Sequence, residues 1–139
     1  MGLVKVKQAI VAGCGEFGMT VADRLSSSGY AVTVIDRDET AFGGLSASYG
    51  GQTVSGDASD VAVLEDCDIR NASLLVSCTD RDSVNYFIAQ VASEVYGVEH
   101  VFARIEDKDL IEMLEDSTIE SICPHELCLG EFCRLSRIG

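Results

Sequence analysis

Three glycines, Gly13, Gly15 and Gly18, stand at the spacing G-x-G-x-x-G, where backbone groups rather than side chains do the chemistry. A short apolar run precedes them and a helical pattern follows them, which is the order of strand, glycine turn and helix. In such a turn the first glycine permits the tight bend, the second lets N–H groups approach a pyrophosphate, and the third lets the helix pack against its strand. The loop therefore predicts a phosphate site at a helix N-terminus.

Asp36 supplies a second group for the same ligand. It ends the next apolar run, 23 residues after Gly13, and a carboxylate about 20 residues beyond the glycines is suited to the ribose hydroxyls of a dinucleotide. A 2′-phosphate would be repelled, which disfavours NADP, although the neighbouring Arg37 weakens that conclusion. The Arg37 guanidinium is equally suited to lie over an adenine ring. Asp36 has the alternative role of capping the helix that follows.

Residues after later apolar runs are predicted to complete the site, because the carboxyl ends of parallel strands meet at one edge of a sheet. Asp57 and Ala58 are expected to line the adenine pocket, and Thr79 and Asp80 to face the distal half of the ligand. Asp57 has the alternative role of stabilising a turn. Arg104 lies within an apolar run, where it requires either an internal carboxylate or a ligand phosphate.

Apolar runs alternate with helical patterns six times, which predicts a doubly wound α/β fold with helices on both faces of a six-stranded parallel sheet. The predicted strands are 7–12, 31–35, 52–55, 73–78, 100–105 and 120–123. The predicted helices are 17–28, 39–49, 61–67, 83–96, 108–115 and 126–138. Right-handed crossovers favour the strand order 3-2-1-4-5-6. These elements occupy residues 1–139 as a single domain.

Composition limits the partners. The chain has 23 acidic against 10 basic residues and a net charge of −13, so a nucleic acid backbone would repel it. No apolar run approaches the ~18 residues of a membrane span, and no secretory leader is recognisable, so a cytosolic chain with six free thiols is expected.

Cys123, His125, Cys128 and Cys133 cluster without a C-x-x-C pair, which favours a buried cysteine-rich helix face over a metal site.

Catalytic groups are scarce on the predicted loops. Neither histidine, His100 nor His125, falls there, so a binding protein rather than an enzyme is expected. Cys14 lies between two loop glycines near a helix N-terminus, which can lower the pKa of a thiol, but an inert small side chain is the preferred interpretation. The helix at 83–96 carries an apolar stripe at positions 84, 87, 88, 91, 92 and 95, with Asp82 as its cap.

Taken together, the motifs G-C-G-E-F-G, V-I-D-R-D, G-D-A, C-T-D-R-D-S-V-N, A-R-I and I-C-P resemble the TrkA-N domain, the amino-terminal half of the RCK (KTN) module of potassium transport. The resemblance runs from about Lys7 to Ile138. It implies a Rossmann-fold regulatory domain that binds NAD(H), ADP or ATP and passes the ligand state to a membrane potassium channel or transporter. The positions that match the family's nucleotide contacts are Gly13, Gly15, Phe17, Gly18, Asp36, Arg37, Asp57, Ala58, Thr79 and Asp80, with Arg104 at a phosphate position.

The resemblance also implies a homodimer or higher ring, with the last helix, about 125–138, crossing to a neighbour. Leu127, Leu129, Phe132, Leu135 and Ile138 give that segment an apolar surface. Such a domain is expected in the cytoplasm, held at the membrane only through its transporter partner.

Two features depart from the family pattern. The smaller second domain of full-length members has no counterpart in these residues, which keeps open a second function, the cofactor half of an NAD-linked dehydrogenase, and a third, an assembly module with a vestigial pocket. Glu16 replaces an arginine that reaches the terminal phosphate in ATP-responsive relatives, so NAD(H) is the expected ligand, ahead of ADP or ATP. Glu16 has the alternative role of favouring the helix amino end through its dipole.

Overall fold

Six strands form one parallel sheet in the computed structural model, which describes residues 5–139. The strands are β1 (Gln8–Ala12), β2 (Ala31–Asp36), β3 (Gln52–Ser55), β4 (Ala72–Ser77), β5 (His100–Arg104) and β6 (Glu120–Ile122). They pair in the order β3-β2-β1-β4-β5-β6. Because Ala12 pairs with both Ile35 and Ser77, three carboxyl ends lie side by side at the centre of the sheet. The predicted strand order is confirmed.

Within residues 5–139 four α-helices lie between strands and a fifth follows β6: α1 (Glu16–Ser27), α2 (Val61–Asp66), α3 (Asp82–Gln90), α4 (Lys108–Leu114) and α5 (Pro124–Ser136). Short 3₁₀ turns cover Glu39–Gly44 and Ile69–Asn71, and α3 continues as a π turn over Val91–Val95. A π turn widens the helix by one residue. Gly97, with a φ of +62°, follows it, and no other residue type accepts that conformation as readily.

The sheet has a helical layer on each face. On one face α1 and the Glu39–Gly44 turn cover a cluster that includes Val11, Val34 and Val76. On the other face α2, α3 and α4 cover a larger cluster that includes Ile10, Ile35 and Leu75. Alternate residues of the central strands therefore point to opposite cores, as the two-residue period of a strand requires. The prediction of helices on both faces is confirmed.

The helix predicted at 39–49 is wrong in extent, since only Glu39–Gly44 is helical and only as a 3₁₀ turn. Two consecutive glycines, Gly43 and Gly44, remove helix propensity at its end, and Leu45 is extended. The Tyr49 hydroxyl then donates to the backbone oxygens of Val32 (3.2 Å) and Gln52 (2.8 Å). A contact across two strands thus holds residue 49 in a loop.

The stripe predicted for the helix at 83–96 is correct in part. Ile88, Val91 and Ala92 are buried as expected, but Phe87 and Val95 are 46% and 68% exposed. The buried side of α3 also includes Asn85 and Ala89, which share the spacing i, i+3, i+4 with Ile88. The polar Asn85 is the buried member that the hydrophobic pattern missed.

The last helix begins at Pro124, two residues earlier than predicted, and has no buried residue. The expected buried cysteine face is therefore wrong: Cys128 is exposed, and Cys123 and Cys133 are half-buried. Within residues 5–139 no group of three histidine, cysteine or acidic side chains is placed to hold a metal ion. Nor does any helix of that same range have the length and apolar character to cross a bilayer.

Candidate functional site

A cavity of about 460 Å³ opens at the carboxyl ends of the central strands, where the strand order reverses between β1 and β4. This is the position at which open α/β sheets bind ligands. Its walls come from the glycine loop after β1, the loops after β2 and β3, the segment after β4 and the end of β5. They comprise Gly13, Gly15, Phe17, Ile35, Asp36, Arg37, Gly56, Asp57, Ala58, Ser59, Cys78, Thr79, Asp80, Arg81, Val84 and Arg104.

All but two of the predicted site residues line this cavity. Glu16 is the first residue of α1 and its side chain is exposed, outside the lining. Gly18 is buried below the loop, near the start of α1. The structure therefore brings the glycine loop, Asp36, Arg37 and the later residues to one place, although they come from five different connections.

The three glycines of the loop differ in whether packing requires the absence of a side chain. Gly13 has a φ of +111°, and a Cβ there would lie 2.7 Å from the carbonyl oxygen of Cys78. At Gly18 a Cβ would penetrate the carbonyl oxygen of Gly13, so only glycine lets α1 approach β1 this closely. A Cβ at Gly15 would meet no atom within 4 Å. Gly15 alone is therefore not required by packing, and the open space beside it belongs to the cavity.

The carboxylate of Asp36 is fixed beside that loop. Its Oδ2 accepts from the backbone N–H of Cys14 at 2.7 Å, and its Oδ1 accepts from the N–H of Asp38 at 2.8 Å. Each carboxylate oxygen can accept a further hydrogen bond, so the side chain remains able to bind two hydroxyls. The helix-capping role falls to Asp38, whose side chain accepts from the N–H of Thr40.

Asp57 lines the cavity after β3 and also stabilises its own turn. Its Oδ1 accepts from the N–H (2.9 Å) and the hydroxyl (2.6 Å) of Ser59. These bonds, the side-chain one first, hold the pKa of Asp57 below its usual value, with a smaller contribution from the charge of Arg37. Among residues 5–139 the Oδ2 atom has no hydrogen-bond donor, and it is the free acceptor of this part of the wall.

Arg104 lies at the far side of the cavity and forms no ion pair with any residue of the described range 5–139. Its Nη2 atom donates to the carbonyl oxygen of Thr79 at 3.3 Å. The internal salt bridge considered as an alternative is therefore absent from that range. Arg37 and Arg81 line the same cavity, so three arginines border an opening that is also bordered by acidic residues.

Asn85 was not singled out by sequence reasoning, yet it is 1% exposed and binds the end of β4. Its side chain exchanges hydrogen bonds with the backbone of Thr79 and with the carbonyl oxygen of Arg104. The sequence pattern that could have identified Asn85 is the helical spacing of residues 85, 88 and 89, in which two members are apolar and one is an amide.

Asp82 does not cap α3 as expected. The N-cap is Arg81, and the Asp82 carboxylate accepts instead from the N–H groups of Glu106 (3.1 Å) and Asp107 (2.8 Å). It ties the first turn of α3 to the loop that follows β5.

The two thiols near the loop are not activated. Burial is the main reason that the pKa of Cys14 is raised, followed by the charges of Asp36 and Asp23. Burial likewise raises the pKa of Cys78 to about 12. Neither thiol has the thiolate character of a nucleophile, in agreement with the interpretation of Cys14 as an inert side chain.

The family model of the TrkA-N domain matches residues 9–124 of the chain. The Trk system potassium uptake protein TrkA of Streptomyces coelicolor is 36% identical over 113 residues, covering 81% of this chain and 51% of that protein. The chain thus spans about half the length of this relative.

Solved structures give the same fold. The TrkA-N domain of the inner membrane protein ybaL from Escherichia coli superposes with a TM-score of 0.80 at 16% identity, over 96% of this chain and 98% of that one. The Kef C-terminal domain of Shewanella denitrificans in its AMP-bound form superposes with a TM-score of 0.71 at 22% identity, over 96% and 82% of the two chains. Given the family match over most of its length, the chain belongs to the TrkA-N domain family.

Proposed function

We propose that this domain binds an adenine nucleotide in the cavity above β1, β2 and β4. The observation that carries the proposal is the empty volume beside Gly15, bordered by a carboxylate already fixed on the glycine loop. The first N–H groups of α1 have no carbonyl one turn earlier to bond, and the helix dipole favours a phosphate there. Asp36 then accepts the ribose hydroxyls, and the free Oδ2 of Asp57 accepts from the adenine amine.

NAD(H) is the first ligand of this proposal, followed by ADP and ATP. The carboxylate of Asp36 opposes a 2′-phosphate, which argues against NADP. Glu16 stands exposed at the amino end of α1, and its negative charge opposes a third phosphate placed over that end. In the distal half, Thr79, Asp80 and the guanidinium of Arg104 face the second phosphate or the nicotinamide ribose.

The role we propose is regulatory rather than enzymatic. A dehydrogenase needs a proton donor or acceptor beside the nicotinamide. Within the described range the cavity lining has aspartates, which we assign to ligand binding, but no histidine, lysine or tyrosine. His100 opens β5 at the opposite edge of the sheet, and His125 lies in α5. The related S. coelicolor protein is named for potassium uptake. We therefore infer that the ligand state of this domain is passed to a membrane potassium transporter on the cytoplasmic side.

The segment 125–138 is proposed to join two copies. Large apolar side chains of α5 and its end, Leu127 (64%), Phe132 (57%) and Leu135 (68%) among them, are exposed. Several large apolar side chains exposed on one helix are typical of a protein interface. A second copy of the chain is the proposed occupant, which gives a homodimer or a higher ring whose geometry the nucleotide biases.

Ligand-induced stabilisation tests the binding. Thermal unfolding is followed with NAD, NADH, ADP and ATP, each at 100 times its Kd from calorimetric titration, and a true ligand raises stability by ~2.7 kcal/mol. The matched control is Asp36→Ala, which removes the ribose acceptor. If no adenine nucleotide shifts the transition, the pocket is vestigial and the proposal is wrong. If ATP binds most tightly, the preference for NAD(H) over ADP and ATP is wrong.

The regulatory role has a separate test. The full-length protein is reconstituted with its potassium transporter in liposomes, and potassium flux is measured with NADH, with NAD and without nucleotide. Flux that depends on the nucleotide supports the role. Flux that is the same in all three conditions contradicts it, even where the domain binds the ligand. Light scattering of wild type and Phe132→Asp measures the mass, and a wild-type monomer contradicts the proposed dimer.

A further inference from the structure

We infer that Asn85 is the positioning residue of the phosphate half of the nucleotide site, holding Thr79 and Arg104 in the arrangement that receives the second phosphate. This inference rests on the proposed nucleotide function. Asn85 does not line the cavity itself. It lies on the buried side of α3 and acts through the two residues that do.

The Asn85 amide uses both of its ends. Its Oδ1 accepts from the N–H of Thr79 at 2.8 Å and from the Thr79 hydroxyl at 2.6 Å. Its Nδ2 donates to the carbonyl oxygen of Thr79 at 3.1 Å and to that of Arg104 at 2.9 Å. One side chain thus joins the segment after β4 to the end of β5.

Only an amide satisfies this set of partners. The site offers donors on one side and two carbonyl oxygens on the other, so the buried group must accept and donate at once. A carboxylate has no hydrogen to donate, and an aliphatic side chain would leave the N–H of Thr79 and the carbonyl oxygen of Arg104 without the hydrogen bonds that Asn85 makes to them. The cost of such unsatisfied groups is relieved by moving the segment after β4.

The position of Arg104 depends on Asn85. Its carbonyl oxygen is bound by Asn85, and its guanidinium donates to the carbonyl oxygen of Thr79, which Asn85 also binds. Backbone and side chain of Arg104 are therefore both located relative to Asn85. The other end of the cavity, at Asp36 and Asp57, has no hydrogen bond to this amide. Loss of Asn85 should weaken phosphate binding and leave adenosine binding unchanged.

The test is calorimetric titration of the full chain with ADP and with adenosine. The variants are Asn85→Ser and Asn85→Leu, neither of which adds a charge that would itself repel a phosphate. The matched control is Ser77→Ala, because the Ser77 hydroxyl donates to the same Oδ1 at 3.3 Å but does not line the cavity. We expect both Asn85 variants to bind ADP about tenfold more weakly than Ser77→Ala, the effect of one hydrogen bond to a charged group. Adenosine affinity should stay within about twofold.

Two further measurements separate positioning from general support of the fold. In an Arg104→Gln background, Asn85→Ser should cost less ADP affinity than in the wild-type protein, because part of its effect passes through Arg104. In the wild-type protein, the side-chain amide resonances of Asn85 should shift on ADP binding and not on adenosine binding. This NMR result requires no variant to fold.

The outcomes are distinct. Equal loss of ADP and adenosine affinity, an additive double variant, or unshifted Asn85 resonances would each overturn the positioning role while leaving nucleotide binding intact. A wild-type chain that binds neither ADP nor NAD(H) removes the proposed function, and this inference with it.

Discussion

Replacing Gly15 or Gly18 by alanine should separate ligand binding from folding within one loop. The two glycines are three residues apart and receive the same added methyl group. At Gly18 the new Cβ would penetrate the carbonyl oxygen of Gly13, a backbone atom that cannot rotate away. At Gly15 it would meet nothing within 4 Å, and its backbone, at φ −76° and ψ −170°, is open to any residue.

The expected magnitudes follow from those contacts. Overpacking costs about 1–3 kcal/mol, and a clash with backbone belongs at the upper end. The helix propensity of alanine returns up to ~1 kcal/mol, which leaves Gly18→Ala less stable by about 2 kcal/mol, or roughly 8 °C for a chain of this size. Gly15→Ala should change stability by less than ~1 kcal/mol, but its methyl group enters the space proposed for the pyrophosphate. Nucleotide affinity should fall by about tenfold or more.

The assay combines thermal unfolding without ligand and calorimetric titration with NADH, ADP and adenosine. The two variants should affect different measurements. Gly18→Ala should lose stability, and Gly15→Ala should lose affinity for the phosphate-bearing ligands alone. The reasoning is refuted if Gly15→Ala binds NADH or ADP as tightly as wild type, because the space beside Gly15 would then not hold phosphate. It is also refuted if Gly18→Ala is as stable as wild type.

Three other substitutions or modifications test single residues. Asp36→Asn should weaken NAD binding about tenfold, because a neutral amide accepts a weaker hydrogen bond than a carboxylate; an unchanged Kd contradicts the ribose contact. Ser59→Ala removes the hydroxyl hydrogen bond, the largest cause of the lowered pKa of Asp57, and keeps the backbone one. It should therefore destabilise the chain at pH 7, and the deficit should shrink as pH falls below about 4, where that carboxylate protonates; urea unfolding with a pH-independent deficit would contradict this. A thiol reagent should label the exposed Cys128 well before the buried Cys78, as peptide mapping would show, and the reverse order would mean that β4 opens readily.

The sheet was predictable because its information is local and repeated. Each apolar run is followed by a helical pattern, and right-handed crossovers leave few arrangements for six such units. The glycine loop was predictable for a related reason: Gly13 needs its positive φ and Gly18 its missing side chain, whatever lies elsewhere. Asp36 follows from its place at the end of β2.

The errors arose where distant contacts overrode the local pattern. The segment after Gly44 carries helix-compatible residues, but Tyr49 bonds to β2 and the start of β3 and remains in a loop. In α3 the apolar count placed Ile88 correctly but included the exposed Phe87 and passed over the buried Asn85. The core selected Asn85 because its partners at Thr79 and Arg104 satisfy the amide, which no count of apolar residues records.

The sequence by itself determined the order of the strands, because the repeated strand–helix pattern and right-handed crossovers leave few arrangements. It also determined the glycine corner with its carboxylate, which follows from backbone conformations and spacings within a short segment. Only the tertiary structure decided which side of α3 is buried, that Arg104 is left without an ion pair in the described range, and that α5 has no buried residue. The physical reason is that burial and hydrogen bonding depend on which groups lie next to each other in space, and in this fold the neighbouring groups come from separate strands.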